Sequence, residues 1–200
     1  LQLGYVSQRE DTGKYCLGDK AFVLGYKRES RKMLSEIARP IAEDLSRKVG
    51  ETVVLAFYAN RAWHTLFHCS SAGLNISPQL PVSKNLYISA TGRCIMSRLP
   101  DYELENYIRE QGLPGDDWDG VDTREDLDAR LAEIRKRGYE IYDKNDGALG
   151  VAFPIHSGAK NLDASIGVYM LKSGFSGARK KTVVDGLREA ASAILSIYEK

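Results

Sequence analysis

Apolar residues recur along this chain first with the period of a helix and then with that of a strand, and the switches between the two mark out its elements. From Leu34 the positions Leu34, Ile37, Ala38, Ile41, Leu45 and Val49 repeat at helical spacing, with Pro40 as a kink or restart and Gly50 as the stop. Two β-rich runs follow, TVVLAFY (Thr52–Tyr58) and AWHTLFH (Ala62–His68), joined as a hairpin by Ala59-Asn60-Arg61. After a loop over Cys69–Lys84, the stretch Asn85–Pro100 reads as a polar turn feeding a short helix with Cys94, Ile95 and Met96 among its apolar residues. Asp101 caps a further helix, DYELENYIREQG, and Thr123 with Asp126 sets up a capping box for TREDLDARLAEIRKRG, which Gly138 ends. The period then falls to two. YEIYD, LGVAFPIH and ASIGVYMLK give three strands in meander order, before a last helix from Arg179 to Tyr198 with Val183, Leu187, Ala191, Ile194 and Tyr198 inward. At the amino end, LQLGYV and KYCL around SQREDTG read as one more hairpin. Grouped strands with helices before, between and after them predict an α+β fold, a central antiparallel sheet of about six strands with helices on both sides.

Composition narrows this without changing it. The 200 residues are 43% hydrophobic and 28% charged, enough for one substantial core and ordinary for a globular protein. No apolar run approaches the roughly 18 residues that span a membrane, and the start has neither the basic region nor the apolar core of a leader, so a soluble, cytoplasmic protein with no membrane partner is expected. Cys16, Cys69 and Cys94 lie far apart with no CxxC, which fits a reducing compartment. A formal charge of +1 excludes a polyanion-binding surface built from these residues as a whole.

The turn before Cys94 is the strongest candidate for chemistry. Ser89 and Thr91 suit the first helical turn as caps, while Ala90 and Gly92 are too small to fill the space above it, and the free N–H groups there suit a carboxylate or other small anion. Other candidates weigh less. His64 and His68 fall on a strand, where residues four apart are about 13 Å from each other, and do not share an ion. The acidic run Asp116, Asp117, Asp119 and Asp122 fails the spacing of a calcium loop, and Arg179, Lys180 and Lys181 fail that of a phosphate loop; both read as solvated surface. Cys94 reads as a buried, inert thiol and His156 as a strand-end surface residue. A hydrolase using Cys94 or Asp143 is the competing class, but GxSxG, HExxH and a paired second carboxylate are all missing, so no catalysis, metal or cofactor is expected.

In order and spacing, GKYCLG (Gly13–Gly18), ARPIAEDLSRKVGETVVLAF (Ala38–Phe57), SATGRCIMSRLP (Ser89–Pro100), LAEIRKRGYEI (Leu131–Ile141) and GVAFPI (Gly150–Ile155) resemble the IclR family of bacterial transcription regulators. The resemblance implies a winged helix-turn-helix, a linker helix and a GAF-like effector domain. Residues 1–18 would be the terminal hairpin of the wing, 19–31 the linker helix and 32–200 the effector-binding and oligomerisation domain, the piece of a longer protein. It further implies a small-molecule effector, DNA bound through the preceding domain, and a homodimer or dimer of dimers, with Ile37 and Ile41 available for contacts between subunits. Carried over by position, the effector pocket is lined by Ala90, Thr91, Gly92, Asp143, Gly150, Gly167 and Tyr169, with Tyr87 adding bulk. Relatives commonly have Pro and His where Asn85 and Tyr87 stand, and serines where Gly167 and Tyr169 stand. These departures favour a larger or aromatic acid over a two- or three-carbon one. The alternatives are a ligand-free oligomerisation module and a GAF-like sensor attached to another output domain.

Overall fold

The computed structural model describes residues 6–8, 13–17, 19–70, 82–143 and 147–200. They fall into two units, Leu1–Glu36 and Ile37–Lys200. In the first, β1 (Val6–Gln8) pairs antiparallel with β2 (Tyr15–Leu17), Val6 opposite Leu17. A hairpin is therefore present, but Ser7 and Gln8, read from the sequence as turn, belong to its first strand; residues 9–12 and 1–5 lie outside the described residues. Helix α1 (Asp19–Val49) runs unbroken for 31 residues across both units, where the sequence suggests a linker helix and a second helix from Leu34. Pro40 removes one backbone donor, a loss of up to about 3 kcal/mol. It sits on the exposed side, while Ala38, Ala42, Leu45 and Val49 are buried and hold the second half in helical register.

The second unit is built on one antiparallel sheet of six strands in the order β5-β4-β3-β8-β7-β6. β3 (Thr52–Ala59) and β4 (Ala62–Cys69) are joined by a two-residue turn in which Asn60 and Arg61 both have left-handed backbones, φ 53° and 58°. This geometry matches the twist of the flanking strands. β5 (Val82–Ser83) is only a short edge beside Trp63 and His64. β6 (Glu140–Asp143), β7 (Ala148–Ser157) and β8 (Leu162–Leu171) form the predicted meander. Pro154 is tolerated inside β7 because it lies past the end of β6, whose pairing stops at Ala152.

The two faces of this sheet are covered differently. On one, α2 (Ala90–Met96), α3 (Asp101–Gln111) and α4 (Arg124–Arg137) bury Leu86, Ile95, Met96, Leu127, Leu131 and Ile134 against Ala56 and Ala152. On the other, α5 (Gly177–Tyr198) packs on β7 and β8 through Val183, Leu187 and Ile194, and meets α1 where a Cβ on Gly186 would lie 2.8 Å from Leu45 Cδ1. The capping box forms in full, Thr123 and Asp126 exchanging bonds, and Gly138 closes α4 at φ 83°. Asp101 is not the cap of α3. Pro100 occupies that position without a side-chain bond, and Asp101 lies in the first turn, where its charge faces the positive end of the helix.

Candidate functional site

Everything at the predicted turn depends on how closely α2 approaches the sheet. Ser89 has an extended backbone (φ −152°) and caps the helix, its Oγ accepting from Gly92 N at 3.0 Å. Thr91 is 8% exposed; its Oγ1 accepts from Trp63 Nε1 at 3.2 Å and lies 3.3 Å from Ser89 Oγ, while its carbonyl accepts from Ser165 Oγ at 3.0 Å. Two glycines let the helix down onto β7 and β8. A Cβ on Gly150 would lie 3.4 Å from Ala90 Cβ, and one on Gly167 would lie 3.0 Å from both Thr91 Cγ2 and the Val151 carbonyl oxygen. Tyr142, Gly150, Tyr169 and Thr52 form one row across β6, β7, β8 and β3.

Ala90, Thr91, Gly150, Gly167 and Tyr169 are thus brought together, as the sequence suggests. Gly92 turns instead towards its own preceding loop, where a Cβ would lie 2.4 Å from the Leu86 carbonyl oxygen. Tyr87 is a core residue. It is 2% exposed, its ring meets Tyr107 edge-on at 5.4 Å, and its hydroxyl donates to Gly112 O at 2.8 Å, so burial pushes its phenol up to about 12. Asp143 is ion-paired with Lys172, and the period of two along β6 puts it on the face opposite Tyr142.

The residue that sequence reasoning missed is Arg93. Its guanidinium is buried between the rings of Trp118 (4.0 Å) and Tyr142 (4.6 Å). Nε donates to Tyr87 O at 2.6 Å, Nη2 to Asp117 O at 2.9 Å and Nη1 to Glu140 Oε1 at 3.4 Å. Burial pushes both partners of the Arg93–Glu140 pair towards neutrality, Arg93 down and Glu140 up, with Arg137 on the second Glu140 oxygen opposing the latter. The only signal in the sequence is a cation inside the apolar run TGRCIM; its partners are far away along the chain.

The minor candidates resolve simply. Asp117 anchors the loop before α2, accepting from Asn85 Nδ2 at 2.6 Å. Arg179 is not merely solvated: it donates to Val49 O at 3.3 Å, satisfying the end of α1, and pairs with Glu51. His64 stacks on Phe57 and bonds Ala59 O, and His156 pairs with Asp163 at 2.8 Å on the β7–β8 hairpin. Among the described residues no group of three or more His, Cys, Asp or Glu side chains is placed to hold a metal ion. Cys94 donates to Ala152 O from full burial, which pushes its thiol well above the usual range. In a Cys16→Ser/Cys69→Ser variant the remaining thiol is therefore expected to ignore a disulfide reagent at neutral pH and to react fully in denaturant. Rapid modification of the native protein would contradict this burial.

A short capped helix seated on a six-stranded antiparallel sheet, with helices on the opposite face, defines a GAF-like α+β domain. Residues 28–196 match the domain family described as bacterial transcriptional regulator IclR C-terminal, and the chain belongs to this family. It is 25% identical over 198 residues to the HTH-type transcriptional regulator KipR of Bacillus subtilis, covering 96% of this chain and 78% of that protein. It is 26% identical over 157 residues to the transcriptional repressor IclR of Escherichia coli, covering 75% and 56% respectively. The fold is that of the Thermotoga maritima IclR crystal structure, with a TM-score of 0.71 at 22% identity, covering 100% of this chain and 81% of that one. These relatives are transcription regulators, and among the described residues no helix is long and apolar enough to cross a membrane.

Proposed function

We propose that this chain is the effector-sensing part of an IclR-type transcription regulator. A small carboxylate or aromatic acid binds beside the first turn of α2 and alters operator binding by a DNA-binding domain that precedes the linker helix. In a homodimer or dimer of dimers, α1 carries the change from one domain to the other. The observation that carries this reading is a surplus hydroxyl proton. Ser89 Oγ and Thr91 Oγ1 already accept from Gly92 N and Trp63 Nε1, and only one of the two hydroxyls can donate to the other. The remaining O–H has no acceptor among the described residues, and an anion supplies one. Tyr142 and Tyr169, on either side of Gly150, offer aromatic faces to an acid that carries a ring.

Small carboxylic and aromatic acids, screened by thermal shift, are expected to include a stabiliser. At a hundred times its Kd such a ligand adds about 2.7 kcal/mol, or about 5–10 °C for a domain of this size. Thr91→Val keeps the side-chain volume, loses the hydroxyl and is expected to remove the response. Its own cost is about 1–3 kcal/mol, from the stranded Trp63 N–H. The close seating of Thr91 on Gly167 favours one competing reading, a ligand-free oligomerisation module. Failure of every acid class to shift the melt decides for it.

A further inference from the structure

A second concavity of about 400 Å³ lies between the Asp116–Asp119 loop, α4 and β6. Of the residues named at the effector turn it shares Tyr142 and Asp143, and none of Ala90, Thr91 and Gly92. Its lining carries both signs of charge, three guanidinium groups and six carboxylates, an excess of three negative charges. Four of those six carboxylates are spoken for: Glu140 by Arg93 and Arg137, Glu133 by Arg130, Asp143 by Lys172 and Asp117 by the Asn85 amide. Asp116 and Asp119 are exposed and have no ion pair or hydrogen bond among the described residues. On the basic side Arg130 spends a single N–H on Glu133, and Arg137 bonds Tyr139 O and Glu140 with Nε and Nη2, leaving Nη1 uncommitted. The floor is already built, because Arg93 is fixed between Trp118 and Tyr142 and bonded to Asp117 O.

We propose that this cleft binds a basic α-amino acid, its carboxylate against Arg130 and Arg137 and its positive groups against Asp116 and Asp119. Unpaired carboxylates on the Asp116–Asp119 loop and incompletely committed guanidinium groups on α4 together suit a zwitterion, and a fork of N–H donors suits a carboxylate end. The negative excess selects a ligand with additional positive charge and rejects acidic amino acids. A volume near 400 Å³ is at the small end of ligand sites, right for a single amino acid.

Calorimetric titration of the chain at low salt with L-lysine, L-arginine, cadaverine and L-glutamate tests this. Saturable binding of L-lysine or L-arginine is expected with Kd below about 1 mM, with cadaverine at least about tenfold weaker and glutamate silent. The double variant Asp116→Asn/Asp119→Asn should weaken L-lysine binding at least about tenfold without moving the melting temperature. Arg130→Gln should weaken L-lysine but leave cadaverine unchanged. No heat up to about 10 mM overturns the proposal. So does equal binding of L-lysine and cadaverine, which marks a bare anionic surface, or indifference to the double variant. Thr91→Val, which disables the α2 turn, should leave this binding intact, so the two sites stand or fall separately.

Discussion

Replacing Gly92 by alanine is expected to destabilise the protein by about 2–4 kcal/mol, against the usual preference of a helix for alanine over glycine. The added Cβ would lie 2.4 Å from the Leu86 carbonyl oxygen, 2.9 Å from Ser89 Oγ and 3.0 Å from the Leu86 carbonyl carbon. Two of these atoms are backbone, so relief requires moving the whole loop before α2, whose Leu86 N–H is also held by Tyr107 Oη at 2.7 Å. Overpacking usually costs about 1–3 kcal/mol and occasionally more, and a Cβ 2.4 Å from a rigid carbonyl oxygen places this case above that range, at about 3–5 kcal/mol. The helix-propensity gain of about 1 kcal/mol offsets only part of it. Urea unfolding followed by tryptophan fluorescence measures the difference, and the melting temperature should fall by roughly 5–15 °C. Gly186→Ala is the internal control. There the nearest atom, at 2.8 Å, is a terminal methyl of Leu45 that can rotate away, so propensity and contact nearly cancel. If both variants unfold alike, Gly92 does not lie against a carbonyl.

These contrasts also show what could be read before any coordinates. Elements with local causes were legible: the Thr123–Asp126 capping box, the Asn60-Arg61 turn and the Ser89 cap are each specified within a few residues. The small residues of the central turn were also legible as small. What they are small for was not, because Gly150 and Gly167 answer to Ala90 and Thr91, far away along the chain. Continuity of α1 through Pro40 was hidden for a similar reason. A proline signal is local, while the buried Ala38, Ala42 and Leu45 that outweigh it act through tertiary packing. The face that Asp143 takes was hidden by parity. One residue along β6 exchanges the two faces of the sheet, so Tyr142 beside it occupies the place assigned to the carboxylate. The burial of Tyr87 was not legible, because a position carried over from relatives says nothing of the neighbours Tyr107 and Trp118 that pack on this ring.

Arg93→Met should be the most damaging single change away from the apolar core. It leaves Glu140 (6% exposed) facing only Arg137 and strips the Tyr87 and Asp117 carbonyls of their guanidinium donor. Breaking a buried pair from one side typically costs about 3–5 kcal/mol, because the surviving charge has lost its compensation. The pH dependence identifies the cause. Burial already holds the Glu140 carboxyl above its ordinary 4.5, and loss of Arg93 raises it further. A carboxyl with a raised folded-state pKa contributes stability fully below its unfolded value and loses it as pH rises through the folded one. The deficit of Arg93→Met should therefore be largest at neutral pH and shrink as pH falls towards 4.5. Adding Glu140→Gln removes the stranded charge, so the double variant should be no less stable than Arg93→Met alone at neutral pH and should lose that acid dependence. Arg93→Lys keeps a cation but not the planar fork that reaches three segments at once, and should fall between wild type and methionine. A pH-independent deficit, or simple additivity of the two substitutions, would show that Arg93 acts by packing against Trp118 and Tyr142 and not by neutralising Glu140.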